Sequence, residues 1–290
     1  MEQNSSQRKS YEHTYFVQDN ENRDERDRLS LQDQMITRAM GGVLPEQNDS
    51  QRFRRVLDVG CGTGGWLIEV AKAYPEIKTL IGIDINRQMV EYAQKLAEQE
   101  QVHDRVEFHT MDALLFIEFP RHFFDLVNQR LGWSYLRTWD WHTILTKYLY
   151  IARPDAVIRI TEGTTFDTTT SPALAQLFQV GFDALYRAGH SFTPEPSSVA
   201  ERIPHLFREF GLRNIETRST LFEHRIGSES MDIFFEDVKL LFRTGLPFYR
   251  KWGNIPPNYE ELYQQALEEI QDPGCLTTGH LVTTWGTTNG

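Results

Sequence analysis

The stretch VLDVGCGTGGW, residues 56–66, decides how this chain is read. A short apolar run breaks into glycines, with Gly60, Gly62 and Gly65 at the spacing G-x-G-x-x-G. That pattern marks a strand turning sharply into a helix, with main-chain N–H groups left open to a ligand. By itself it fits a dinucleotide. Asp58, however, stands two residues before the first glycine, where a pyrophosphate would bring negative charge. Like charges repel in a confined site. A ligand with a cationic amino group would reverse that argument, so the glycine spacing fits two ligand classes.

Outward from this loop the chain alternates strand and helix. Strands are expected at residues 53–59, 79–85, 106–110, 123–128 and 156–161, the last after an Arg153-Pro154-Asp155 turn. Helices are expected at 64–74, 87–99 and 138–152. This rhythm predicts an α/β, Rossmann-like, mostly parallel sheet with helices on both faces. A helix is expected before the loop, at 26–40, closed by Gly41-Gly42. Later come helices at 172–188, 199–210, 228–244 and 258–270, and strands at 212–221 and 276–285. The segment LPFYRKWGNIPP separates the last two helices.

In such sheets ligands bind beyond the carboxyl ends of the strands. Three of those ends carry an acid. Asp58 precedes the glycines. Asp84 closes the second strand, at the distance where a carboxylate accepts both hydroxyls of a ribose. There Ile85 and Met89 can pack against an adenine face. The third strand runs into Thr110-Met111-Asp112-Ala113, where Asp112 can accept from an adenine amino group. Each acid alone also serves as a helix cap. Three at successive strand ends form a constellation.

The runs VLDVGCGTG, GIDI and MDA together resemble the class I S-adenosylmethionine-dependent methyltransferases of the small-molecule, secondary-metabolism type. The likeness extends over FFDLVNQRL and ARPDAVIRITEG, about residues 53–163. It implies a seven-stranded sheet with a reversed final strand and S-adenosyl-L-methionine as cofactor. By position it implies Gly60, Cys61 and Gly62 at the methionine portion, Asp84 at the ribose, and Asp112 with Ala113 at the adenine. Gln129 and Arg130 would border the methionine end and the substrate. The N-terminal YFVQDNENRDERDRLSLQDQ resembles a segment that closes the cofactor pocket in some of these enzymes, which points to Tyr15 and Arg28, the latter for the cofactor carboxylate. Three parts are expected: residues 1–50 closing the pocket, 51–163 binding the cofactor, and 164–290 completing the sheet with helical cap insertions at 164–197 and 228–274.

The insertions are rich in aromatics, most of them suited to the cap's own core. Trp133 after the fourth strand and Tyr186 in the first insertion are the expected substrate-wall residues, since small-ligand sites are largely apolar. Methyl transfer needs alignment and a dry cavity, and a base only if the acceptor must lose a proton. His142, His190 and His224 are conceivable bases and none is singled out. The reading is thus methyl transfer to an O, N or C atom of a small apolar or aromatic metabolite. The competing readings are a peptide or protein methyltransferase, an NAD(P)-dependent oxidoreductase and a binding module without catalysis.

Composition is consistent with this. Across 290 residues the formal net charge is −11, which opposes nucleic-acid binding. Two cysteines, Cys61 and Cys275, provide neither a disulfide framework nor a zinc site, and no metal is expected. The polar start MEQNSSQRKS is no signal peptide, and no apolar run approaches the roughly 20 residues of a membrane span, so a cytoplasmic location is expected.

Overall fold

The computed structural model describes residues 23–163, 168–228 and 230–289. Its centre is a sheet of β1 (Arg55–Val59), β2 (Thr79–Asp84), β3 (Val106–Thr110), β4 (Phe124–Arg130), β5 (Ala152–Gly163), β6 (Thr168–Thr169), β7 (Arg213–His224) and β8 (Thr277–Thr287). The long strands lie in the order β3-β2-β1-β4-β5-β8-β7. The first five pair in parallel, and β8 runs antiparallel to both β5 and β7. The expected mostly parallel sheet with a reversed final strand is what forms.

The strand count is one higher than expected. β8 is longer than its contact with β5, and the two-residue β6 fills the remaining edge, pairing Thr168 with Thr278 and Thr169 with Thr277. Threonine hydroxyls close both pairs at 2.8 Å. A second difference lies in the Arg153-Pro154-Asp155 turn, which sits inside β5. Phe124 pairs with Ala152 but Leu126 with Val157, so the turn is absorbed as a bulge, with Asp155 in the left-handed region.

Helices α2 (Gly65–Ala73) and α3 (Arg87–Gln99) cover one sheet face. There Trp66, Leu67, Val70 and Ala93 pack with Val56, Leu80, Val106 and Leu126. The opposite face, with Leu57, Val59, Ile83 and Ile158, is covered by α4 (Asp140–Ile151) and α6 (Ser198–Glu209). The alternation along each strand follows from the two-residue period of β side chains.

Helices from the two stretches 164–197 and 228–274 pack together. Helix α5 (Pro172–Arg187) packs against α8 (Leu246–Trp252) and α9 (Tyr259–Glu269), with α7 (Met231–Thr244) alongside. They share a core that includes Phe178, Phe234, Phe242, Phe248 and Tyr249. The Glu269 carboxylate accepts from Ser171 Oγ (2.6 Å) and from the Ala173 N–H (3.0 Å), so α9 closes the start of α5. α8 lies in the LPFYRKWGNIPP segment, whose prolines mask its helicity; Pro247 falls in the first turn, where its missing N–H is harmless. Helix α1 (Arg23–Ala39) lies against α2 and α7. Among the described residues no helix is long and apolar enough to cross a membrane.

One glycine fixes how α2 leaves the sheet. Gly64 has φ +77°, and a Cβ there would stand 2.6 Å from the Phe108 ring and 2.8 Å from Ala93 Cβ. Gly64→Ala is expected to cost about 2–4 kcal/mol through strain and overpacking together. The check is a lower denaturant midpoint at unchanged slope; an unchanged midpoint would contradict the tight turn.

Candidate functional site

The loop from β1 to α2 is tied to β2 at several points. Gly60 and Cys61 both donate main-chain N–H groups to the Ile83 carbonyl, at 2.9 and 3.0 Å. Gly62 N–H donates to Asp84 Oδ2 at 2.9 Å, and Asp84 Oδ1 accepts from Asn86 N–H at 2.8 Å. Burial pushes the Asp84 carboxyl up, and these two N–H groups pull it back. Gly62 has φ +52°, and a Cβ on it would meet nothing within 4 Å. The loop therefore presents bare backbone to open space beside Asp84. At Gly60 a Cβ would collide with the Tyr135 hydroxyl at 2.6 Å. The Cys61 side chain turns into the core beside Gly82, and burial holds its thiol well above the usual range. That chemistry is a small filler's, and Cys61 offers the loop its main chain.

Asp58 is buried at the end of β1, and its register partner Asn128 donates Nδ2 to Asp58 Oδ1 at 2.7 Å. Burial pushes the Asp58 carboxyl up to about 7 despite the opposing charge of Arg130 and the Asn128 hydrogen bond. Asn128 Oδ1 in turn accepts from Arg159 Nη1 at 2.8 Å, and Arg159 Nε donates to Glu46 Oε1 at 2.7 Å. Arg159 and Glu46 are almost wholly buried. Neither was a candidate from sequence; the signal available was an arginine inside the apolar run AVIRIT.

Asp112 Oδ1 accepts from the N–H groups of Leu114 and Leu115, so it caps the turn after β3. Lys147 pins that turn from α4 by donating to the carbonyls of Ala113 and Leu114. Met111 hydrogen-bonds back to the Asp84 carbonyl, which holds the ends of β2 and β3 together. Ile85 stands exposed just beyond β2, while Met89 is buried. Ile85 thus leaves an exposed apolar side chain next to Asp84.

At the end of β4, Gln129 is buried and accepts from the Tyr148 hydroxyl. Arg130 forms an ion pair with Asp33 of α1 and reaches Thr37 Oγ1 at 3.5 Å. Asp33 also lies against Gly65, so α1 sits over the glycine loop. Arg28 is buried, and its guanidinium forms an ion pair with Asp237 of α7. Tyr15 lies outside the described residues. Trp133 packs at the seam between the sheet's helices and the cap. Tyr186 is 43% exposed on the solvent side of α5, where the helical period turns its apolar partners inward.

Two buried groups that sequence reasoning did not single out as binding residues brace the segment after β4. Glu162 accepts from the N–H groups of Gly132 (2.8 Å) and Trp133 (3.2 Å). Burial pushes its carboxyl up to about 8. His190 places Nδ1 at 2.9 Å from the Trp133 carbonyl and 3.1 Å from that of Leu136, so Nδ1 carries the proton and donates. Burial lowers His190 to about 4. Of the other histidines, His142 is exposed beside Glu209, and His224 stacks on Phe234 at 4.2 Å. Among the described residues no cluster of His, Cys, Asp or Glu is arranged to hold a metal ion.

Residues 56–155 match the family model of the methyltransferase domain. This stretch of the chain is thus similar to a methyltransferase domain. A demethylmenaquinone methyltransferase of Lactiplantibacillus plantarum is 35% identical over 101 residues, 35% of this chain and 41% of the relative. The ajmaline N-methyltransferase of Rauvolfia serpentina is 43% identical over 74 residues, 26% of this chain and 24% of that one. The chain thus spans less than half the length of these curated relatives. Among solved structures, phosphoethanolamine N-methyltransferase 2 of Haemonchus contortus, in complex with phosphomonomethylethanolamine and S-adenosylhomocysteine, superposes with a TM-score of 0.58. It is 16% identical, and the match covers 96% of this chain and 60% of that one, a likeness of fold.

His224 gives the fold a testable acid sensitivity. Burial lowers this imidazole from 6.5 to about 4. Its neutral form therefore contributes stability that is full above pH 6.5 and is lost as pH falls towards 4, about 3 kcal/mol in all. Asp58 and Glu162, with raised values, act in the opposite sense, so the variant must be compared with wild type at each pH. His224→Phe keeps the ring stack, and its stability relative to wild type should rise by about that amount between pH 7 and pH 4. Parallel denaturant midpoints over that range would contradict the buried neutral imidazole.

Proposed function

We propose that this chain transfers a methyl group from S-adenosylmethionine to an O, N or C atom of a small apolar or aromatic metabolite. The observation that carries the reading is the set of three carboxylates around a bare glycine loop, one of them hydrogen-bonded to that loop. This set of acceptors suits a ligand with an ammonium group, a ribose and an amino-purine. It does not suit a pyrophosphate, which Asp58 would repel. Two of the relatives support a small acceptor, since the demethylmenaquinone and ajmaline methyltransferases are each named for a small molecule.

In this reading Asp84 accepts the ribose hydroxyls while its tie to Gly62 sets the height of the loop. Asp112 accepts from the adenine amino group, with Met111 and Ala113 alongside, and Ile85 and Met89 flank the ring. Gly60, Cys61 and Gly62 present main chain to the methionine portion. Asp58 faces its ammonium group, and Arg130, with Gln129 behind it, turns from Asp33 towards its carboxylate. Tyr15 and Arg28 belong to the segment 1–50 that closes the pocket, and residues 51–163 form the cofactor unit. The remainder, 164–290, completes the sheet and supplies the cap. Trp133 lines the acceptor side. When bound, the cofactor supplies a methyl group on a sulfonium, already attached to a good leaving group. The chain's contribution is alignment of the acceptor and exclusion of water.

Asp84→Ala is expected to weaken S-adenosylmethionine binding by at least about tenfold, through loss of a charge-assisted contact. Calorimetry reads this directly, and unchanged affinity removes Asp84 from the site. The function itself is tested by incubating cell extract with the protein and isotopically labelled cofactor, followed by mass spectrometry. A labelled small molecule supports the reading. Tight binding of NAD with none of S-adenosylmethionine would sink it, and label found only in protein would move the acceptor to a peptide.

A further inference from the structure

We infer that Asn128, Arg159 and Glu46 are positioning residues that orient the Asp58 carboxylate towards the ammonium end of the methyl donor. The inference rests on the methyltransferase reading above and adds residues which that reading does not use.

Asp58, Asn128 and Arg159 are neighbours in register across β1, β4 and β5. Their side chains therefore rise from the same sheet face, the one under α2. A guanidinium has donors only. Facing it, Asn128 must present its carbonyl oxygen to Arg159 Nη1 (2.8 Å), which sends its amide nitrogen to Asp58 Oδ1 (2.7 Å). A flipped amide would set N–H against guanidinium and oxygen against carboxylate. Arg159 thus decides that Asp58 receives a donor. Glu46 fixes Arg159 in its turn, taking Nε at 2.7 Å and Nη2 at 3.4 Å.

Glu46 belongs to the segment between α1 and β1, which is itself bolted down. Trp66 Nε1 donates to the Val43 carbonyl and Arg218 Nη1 to the Pro45 carbonyl, both at 3.0 Å. The chain of contacts therefore runs from the pocket-closing segment, through the sheet, to the ligand end of β1. It engages Oδ1 of Asp58, while Oδ2 makes no hydrogen bond among the described residues.

The charge balance gives the chain its purpose. Burial draws Asp58 towards its neutral form, while the Asn128 hydrogen bond and the Arg159 charge oppose that pull. The other groups facing it are Arg130 from β4, Asp33 from α1, Cys61 of the loop, Tyr135 of the following turn and Tyr148 from α4. Of these, Arg130 is the cation, and the same reading commits it to the ligand carboxylate. With the relay Asp58 titrates at about 7; without it the proton would stay on Asp58 to higher pH, and the ligand's ammonium group would meet a carboxylic acid there.

The test is the pH dependence of S-adenosylhomocysteine affinity, by calorimetry, in the full chain. In wild type, affinity should fall by up to about tenfold per unit below the Asp58 midpoint near 7. Asp58→Asn should flatten the profile. Asn128→Leu should move the midpoint up by about one unit and leave affinity below wild type even at alkaline pH, where the carboxylate is ionised but no longer oriented. Because Arg159→Met alone strands a buried carboxylate, Glu46→Met/Arg159→Met replaces the whole pair with apolar side chains of similar size, a change that buried pairs tolerate. It should shift the midpoint in the same direction. A flat Asp58→Asn profile, with the Asn128 and double variants superposing on wild type, would reduce the chain to a structural brace and overturn the inference. So would an Asp58→Asn variant that keeps the wild-type slope, and in that case the methyltransferase reading survives. If wild type binds no S-adenosylhomocysteine at all, the reading falls and the inference with it.

Discussion

The hydrogen bond from the Gly62 N–H to Asp84 is the contact on which the site's geometry depends. It joins the apex of the glycine loop to the end of the neighbouring strand, so the loop cannot drift without dragging β2. Everything beyond is referred to that point. Gly60 and Cys61 are anchored on Ile83, Met111 on the Asp84 main chain, and α2 starts where Gly64 completes the turn. A carboxylate makes a suitable anchor. It accepts from backbone on both oxygens, at Gly62 and Asn86, and still has lone pairs to offer.

Much of this was legible in the sequence because it is local. Asp58, Asp84 and Asp112 lie within a few residues of apolar runs whose ends could be read directly. The parallel order of the first strands follows from strand–helix alternation and right-handed crossovers. What escaped was governed by partners far along the chain. Arg159 reads as an interruption in AVIRIT until Glu46 and Asn128 are placed beside it. Pro154 reads as a turn, and only the pairing of β4 with β5 makes it a bulge. Tyr186 belongs to an aromatic-rich helix whose buried stripe is set by α8 and α9, and those neighbours turn it outward.

The same distinction explains the cap. Its aromatics are evident in the sequence, but their division between core and wall depends on how two separate stretches meet. Most of them fill the space between α5, α7, α8 and α9. What remains at the seam with the sheet is a small set around Trp133, on a segment clamped from one side by Glu162 and from the other by His190. A carboxylate on the donors and an imidazole on the carbonyls leave that turn few other conformations. In the proposed reading, the acceptor side thus rests on one rigid turn, and the cofactor side on another.

The grip of Glu269 on the start of α5 has a consequence for how such a cap can diversify. The two insertions are stitched to each other at that point as well as to the sheet, so neither can be exchanged without leaving the other's apolar face bare. If the proposed reading holds, drift in acceptor preference must then travel through matched changes in both stretches, or through side chains at the seam alone. The second route disturbs no shared core. On that reading, new acceptors are most readily accommodated at a narrow rim, while the bulk of the cap changes only as a single part.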